Sequence, residues 1–77
     1  MKYEMVVQPH QVLTPDDIHE RWGGMPTKSI RLATYFELRT MGETMYEVAR
    51  EMKISMGTAK TYERWYEHEA LPYARTL

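Results

Sequence analysis

The sequence predicts an all-α domain of four helices with a short extended arm at its N-terminus. Polar helix-capping residues recur along the chain, and apolar residues at helical spacing follow each of them. Glycines lie where the first two of these helices should end. With 43% hydrophobic and 27% charged residues, the composition is that of a folded globular protein.

Length and composition limit the possible functions. We expect residues 1–77 to form a single domain, which leaves little room for a catalytic cleft beside a full core. The absence of cysteine excludes disulfides and thiolate chemistry, and favours a reducing compartment. No apolar run approaches the roughly 18 residues that a membrane span needs, so we expect a cytoplasmic protein without a membrane anchor.

The N-terminal part predicts an extended arm and then a helix. Residues Lys2–Val7 suit a short strand or arm, which Pro9 ends. Thr14 is a good N-cap, and the proline and two aspartates after it suit a first helical turn. This first helix should run to about Trp22, because Gly23 and Gly24 follow.

The second helix should be central to the core. Thr27 or Ser29 can cap it, and Gly42 can terminate it. Apolar residues occur on several of its sides. They are Ile30, Leu32, Tyr35, Phe36, Leu38 and Met41.

Two further helices are predicted, beginning after Thr44 and after Ser55. The fourth should end at Pro72, since proline disrupts a helix interior. The third helix carries its apolar residues at i, i+3, i+4 and i+7. In the fourth helix, alanine and tyrosine residues line one face, with Trp65 beside them. These positions are Met45, Val48, Ala49 and Met52 in the third helix, and Ala59, Tyr62, Tyr66 and Ala70 in the fourth.

The third and fourth helices have the residue pattern of a helix-turn-helix. Close crossing of two helices favours a small residue in the first of them, which Ala49 supplies. Ile54 can fill the turn, Ser55 can cap the second helix, and Ala59 and Tyr62 then point back to the core. In such motifs the second helix lies in the DNA major groove.

The predicted partner is therefore duplex DNA. Lys60 or Arg64 could donate to guanine or phosphate, Thr61 could meet a thymine methyl group, and Gly57 would let the backbone approach a phosphate. The full set of candidate DNA-binding residues is Lys53, Ser55, Met56, Gly57, Thr58, Lys60, Thr61 and Arg64.

The same region resembles a known family. Leu38-Arg39, then Tyr46-Glu47-Val48-Ala49, Ile54-Ser55, Gly57-Thr58 and Lys60-Thr61 are similar to the pattern of sigma-factor region-four and related tetrahelical domains. The chain departs from it in a shorter segment before Val48, in Lys53 where glycine commonly makes the turn, and in Ala59 where a larger residue is usual. The resemblance implies a small standalone DNA-binding regulator, of the kind common in bacterial viruses and mobile elements, rather than a true sigma factor.

The charge balance limits the DNA affinity that we expect. The net charge is −1, although residues 27–64 carry seven basic against five acidic side chains. Because phosphate neutralisation supplies most nonspecific affinity, such a protein should bind DNA modestly. Glu63 and Glu67 should repel phosphate, so we expect contact only along the first two turns of the fourth helix.

Other kinds of site are less well supported. His10, His19 and His68 lack the spacing of metal ligands, and the capping role accounts for Asp16 and Asp17. We therefore predict no metal, no cofactor and no enzymatic activity. Large aromatic residues exceed what so small a core can hide, which suggests a homodimer through the arm or the fourth helix. They are Trp22, Tyr62, Trp65, Tyr66 and Tyr73.

The sequence thus predicts a sequence-specific transcriptional regulator, most simply a repressor that occludes its operator. The alternative is a protein-interaction module of the same fold that binds RNA polymerase, a recombinase or a host defence complex through its acidic ends. An accessory DNA-bending factor for recombination is a third possibility.

Overall fold

The computed structural model describes residues 12–77, and the predicted arm at Lys2–Val7 lies outside them. Five α-helices follow in order, and a π-helical segment at Tyr66–Ala70 joins the last two. The α-helices are α1 Pro15–Trp22, α2 Pro26–Thr40, α3 Met45–Met52, α4 Met56–Trp65 and α5 Leu71–Thr76. Since α4, the π segment and α5 form one continuous helical stretch, the predicted all-α fold with four helical segments is confirmed for residues 12–77.

The caps of three helices are those that the sequence predicts. Thr14 and Thr44 each form a capping box, in which the threonine hydroxyl accepts from the backbone N–H of the third helical residue. The side chain of that residue, Asp17 or Glu47, accepts from the threonine N–H in return. The Ser55 side chain accepts from the backbone N–H of Thr58.

The predicted start of α2 is wrong by two or four residues, depending on which of the two predicted caps is taken. The helix begins at Pro26, with Met25 as its N-cap and no side-chain cap. Proline suits this first position because the missing N–H would have no helical partner there. Ser29, one of the two predicted caps, is instead buried inside the helix, and its Oγ has no hydrogen-bond partner among residues 12–77.

The predicted end of the last helix is also wrong. Pro72 lies inside the helical stretch, which continues to Thr76. The π segment precedes the proline. At the end of this segment the Leu71 N–H donates to the Tyr66 carbonyl, five residues back. This wider turn accommodates a residue that cannot donate to the regular α-helical ladder.

The core lies between α2 and the surrounding helices. α1 packs on α2, α2 on α3, and α3 on α4. Of the apolar residues predicted for α2, Leu32, Tyr35 and Phe36 are buried, whereas Ile30 and Met41 are 55% and 49% exposed. Buried residues from the other elements complete the core: Leu13, Ile18, Val48, Ala59, Tyr62, Tyr66, Ala70 and Ala74.

The five large aromatic residues are buried to different extents. Tyr62 and Tyr66 are buried, and Trp22, Trp65 and Tyr73 are partly buried against the core. Trp22 contacts the rings of Trp65 and Tyr73 edge to face, at centroid distances of 5.4 and 5.6 Å. Of the helices in residues 12–77, none could cross a membrane.

Candidate nucleic-acid interface

The turn between α3 and α4 fixes how the two helices meet. Lys53 adopts a left-handed conformation, with φ 57° and ψ 45°, where the family pattern commonly has glycine. The Lys53 N–H donates to the Arg50 carbonyl, and the Ile54 N–H donates to the Ala49 carbonyl at 3.0 Å. This is a Schellman motif, in which the apolar residue after the left-handed position packs back on the protein. Ile54 does so and is partly buried, as the sequence predicts.

α4 begins directly after this turn, at Met56, and has two distinct faces. Ala59 and Tyr62 are buried at 0% and 8% exposure, and they turn one face to the core. Gly57, Lys60, Thr61 and Arg64 are exposed, and their spacing of three to four residues places them on the opposite face. We call these four residues the outward face of α4.

The other candidate residues lie around the start of α4. Lys53 and Ser55 are exposed, whereas Met56 and Thr58 are partly buried. The Ser55 hydroxyl also donates to Thr58 Oγ1 at 3.0 Å. Because the side chains of Ser55 and Thr58 serve the helix cap, they are less available for a ligand than those of Lys60 and Arg64.

Glu63 does not lie where the sequence prediction places it. Its carboxylate is 15% exposed and accepts two parallel hydrogen bonds of 2.8 Å from Arg39, which is 21% exposed. The Tyr35 hydroxyl donates to the same carboxylate. Arg39 neutralises this negative charge, so Glu63 does not oppose phosphate binding in the way we expected.

Arg39 connects three parts of the fold through this contact. Besides pairing with Glu63, its Nη1 donates to the Glu43 carbonyl at 2.9 Å, in the turn before α3. Its guanidinium also lies over the Tyr66 ring, 4.9 Å from the centroid. The Arg39 side chain thus holds three segments together, namely α2, the turn before α3, and α4.

The pKa values within this network reflect its burial and pairing. Burial alone would raise the pKa of Glu63, but hydrogen bonds from Arg39 and Tyr35 outweigh it and hold the pKa below its ordinary value. Burial and the hydrogen bond to Glu63 raise the pKa of Tyr35. Glu63 is therefore ionised and Tyr35 is neutral at neutral pH.

Sequence reasoning did not identify Arg39 as a positioning residue. Arg39 and Glu63 are 24 residues apart, and neither stands out by its type. Leu38-Arg39 entered the sequence analysis only as part of the resemblance, with no structural role assigned to the arginine. Lys28 and Arg31 were also counted only as part of the basic segment, although both are exposed beside α4.

The outward face of α4 carries positive charge that no carboxylate within the described part of the chain pairs with. Within residues 12–77, neither Lys60 nor Arg64 forms an ion pair. The Thr61 hydroxyl donates to the Gly57 carbonyl at 3.2 Å and retains its ability to accept. A helix face of this kind can contact phosphates and base edges.

Among residues 12–77, no group of three or more His, Cys, Asp or Glu side chains is placed to hold a metal ion. Comparison with known proteins finds no family model, curated protein or solved structure that matches the chain. The candidate interface therefore rests on the geometry of α3 and α4 and on the charges around them.

Proposed function

We propose that the protein binds duplex DNA through the outward face of α4 and regulates transcription, acting as a repressor by occluding its operator. The observation that carries the proposal is the division of charge on α4. Lys60 and Arg64 are exposed and unpaired within residues 12–77, whereas the intervening Glu63 pairs with Arg39. This arrangement removes the nearest repulsive charge from a helix that would enter the major groove.

The proposed mechanism needs only binding. An α-helix fits the major groove, and Lys60 or Arg64 would donate to phosphate or guanine while Thr61 would meet a thymine methyl group. Gly57, at the start of α4, leaves space for a close approach of the DNA backbone. A protein seated in this way would block other proteins from the same site.

Salt-dependent binding to random duplex DNA tests the proposal. Fluorescence anisotropy of a labelled duplex would be measured between about 50 and 200 mM salt, over which phosphate contacts weaken steeply. We expect Lys60→Ala and Arg64→Ala each to reduce the salt slope, whereas Arg75→Ala, an exposed arginine on α5, should leave it unchanged. No binding of the parent protein at low salt would exclude the proposed function.

Repression requires a second measurement. Selection of bound sequences from a random duplex pool should yield a defined site, which can then be placed between a promoter and a reporter gene. Lower reporter expression with the parent protein, restored by Lys60→Ala, is the expected result. Enrichment of no sequence would point to a nonspecific or DNA-bending role instead.

A second candidate function is docking to a protein such as RNA polymerase, a recombinase or a defence complex. It is favoured by two exposed apolar side chains at the α2–α3 corner, Met41 at 49% and Tyr46 at 64% exposure. Exposed aromatic residues are frequent at protein interfaces. This candidate predicts that Tyr46→Ser abolishes activity in cells while DNA binding is unchanged.

Homodimerisation is a related proposal. Two copies on adjacent half-sites would raise the affinity that a net charge of −1 limits. The fourth helix provides less support for a dimer than expected, because Trp65 and Tyr66 pack within the monomer. Sedimentation at tens of micromolar decides the matter, since a monomer at that concentration would exclude the dimer.

A further inference from the structure

A groove separates the outward face of α4 from the turn between α1 and α2. Its volume is about 390 Å³, and the residues on its rim include Gly23, Gly24, Lys28, Thr61 and Arg64. A second depression of about 270 Å³ lies beside it, and Lys28, Arg31 and Tyr62 are among its lining residues. Lys28 of α2 and Tyr62 of α4 line both spaces. The start of α2 and the adjoining side of α4 therefore form one continuous surface.

This surface carries three cations that have no ion-pair partner among residues 12–77. Lys28, Arg31 and Arg64 are all exposed, and within residues 12–77 none of them forms an ion pair. The chain contains no carboxylate between Trp22 and Phe36. Like charges held close together repel one another, and a bound anion would relieve that repulsion.

Among residues 12–77, one carboxylate lines the groove, that of Glu69. Glu69 Oε1 accepts a hydrogen bond of 2.8 Å from Trp22 Nε1. This bond holds the Glu69 carboxylate against the Trp22 indole. We call Lys28, Arg31 and Arg64 together the basic ridge.

We propose that Lys28 and Arg31 bind backbone phosphates of the duplex whose major groove receives α4. The inference rests on the proposed function, and it assigns a second contact surface to the same complex. Phosphate contacts fix the register and orientation of a protein on DNA, while base contacts supply specificity. The basic ridge would thus orient α4, because Arg64 belongs to both surfaces.

The relative position of the two helices is rigid enough for this role. The Tyr35 ring on α2 packs edge to face on the Tyr62 ring of α4, with centroids 5.7 Å apart. Arg39 and Glu63 tie the same two helices together. Lys28 and Arg31 therefore keep a fixed relation to the outward face of α4.

The test uses single charge removals in the full chain. The salt slope of binding to a random duplex would be measured for Lys28→Gln, Arg31→Gln and the control Arg75→Gln, with Lys60→Gln marking the α4 contact. Each lost phosphate contact should reduce the magnitude of the slope by roughly 0.9 and weaken binding at 0.1 M salt roughly eightfold. Lys28→Arg, which keeps the charge, should retain the parent slope, and circular dichroism should show unchanged helicity in all variants.

The outcomes separate the inference from the proposed function. Reduced slopes for Lys28→Gln and Arg31→Gln, with no change for Arg75→Gln, support the basic ridge. Unchanged slopes for both variants, with a reduced slope for Lys60→Gln, overturn the ridge and leave DNA binding by α4 intact. An equal reduction for Arg75→Gln shows a general charge effect and overturns the ridge, whereas a parent protein that binds no duplex overturns the proposed function as well.

Discussion

The Arg39 guanidinium and the Glu63 carboxylate meet through two parallel hydrogen bonds of 2.8 Å, Nε to Oε1 and Nη2 to Oε2. This side-on geometry, through Nε and Nη2, is specific to arginine, because a lysine ammonium cannot present two parallel N–H donors. The pair joins α2 to α4 across the core, and it removes Glu63 from the charges that a ligand of α4 would meet. Stability and the proposed function therefore depend on the same contact.

Replacement of Arg39 by glutamine should destabilise the fold. Glu63 would remain in its partly buried site without its cation, and Glu43 would lose a donor to its carbonyl. Breaking a fully buried pair costs about 3–5 kcal/mol, so a pair that keeps 21% and 15% exposure should cost about 2 kcal/mol. Urea denaturation followed by circular dichroism would measure this loss.

Two matched variants make this prediction specific. Arg39→Lys keeps the charge but loses one of the two parallel bonds, so its stability should lie between those of the parent and Arg39→Gln. Arg75→Gln removes an exposed arginine and should change the unfolding free energy by no more than about 0.5 kcal/mol. Similar values for Arg39→Gln and Arg75→Gln would show that the pair contributes little.

The stability that Glu63 contributes should depend on pH. Since the pKa of Glu63 is lowered in the folded state, its contribution is present above the unfolded-state pKa of about 4.3 and is lost as the pH falls through the folded-state pKa. The stability difference between the parent and Glu63→Gln should accordingly be largest near pH 6 and should shrink below pH 4. Urea midpoints of both proteins, measured from pH 3 to pH 7, would give this difference.

Glu51→Gln is the control for the pH series, because Glu51 is an exposed carboxylate on α3. Its stability difference from the parent should stay small at every pH. A difference for Glu63→Gln that does not change between pH 3 and pH 7 would contradict the lowered pKa.

Local signals in the sequence predicted most of the fold. The capping boxes at Thr14 and Thr44 and the cap at Ser55 each depend on residues three apart in the sequence. They can therefore be recognised without knowing how the helices pack. The start of α2 was misplaced because Thr27 and Ser29 are better caps than Met25, and Pro26 determined the boundary instead. Pro72 was read as a helix end because nothing in the sequence indicates that a π turn will accommodate it.

The candidate site was predictable only in part. Exposure of Lys60, Thr61 and Arg64 follows from helical periodicity once Ala59 and Tyr62 are assigned to the core. The pairing of Glu63 does not follow from helical periodicity, because its partner Arg39 lies on another helix. Contacts between distant segments depend on how the helices pack, and one sequence without relatives carries little information about that.

Lys53→Gly should stabilise the turn between α3 and α4. Lys53 is the one residue other than glycine with positive φ within residues 12–77, and its left-handed conformation places Cβ close to the backbone. Glycine would relieve this strain but would also gain freedom in the unfolded chain, so we expect a net gain of about 0.5–1 kcal/mol. Thermal unfolding of the two proteins would measure the gain.

Lys53→Ala separates strain from charge at this position. It removes the ammonium and keeps the positive φ, so its stability should not exceed that of the parent. If Lys53 contacts DNA, both variants should reduce the salt slope of duplex binding by about 1. A stabilised Lys53→Ala variant would contradict the strain argument, and an unchanged slope would remove Lys53 from the candidate site.

Gly57→Ala should raise stability and weaken DNA binding. A Cβ at Gly57 would lie 3.9 Å from the Ser55 Oγ, which is an ordinary contact, so alanine fits the helix without strain. Because alanine favours the helix over glycine, we expect a gain of about 0.5–1 kcal/mol in the unfolding free energy. The added methyl group would at the same time stand between α4 and a phosphate that approaches its first turn.

Gly57→Leu extends the series, since leucine also favours the helix but is larger. If the DNA backbone contacts Gly57, affinity should fall from the parent to Gly57→Ala and further to Gly57→Leu, while both variants remain folded at higher urea concentration than the parent. Arg75→Ala, on α5, should bind like the parent. Equal duplex affinity for the parent, Gly57→Ala and Gly57→Leu would place the DNA away from the start of α4, because a leucine side chain could not be accommodated at a close backbone contact.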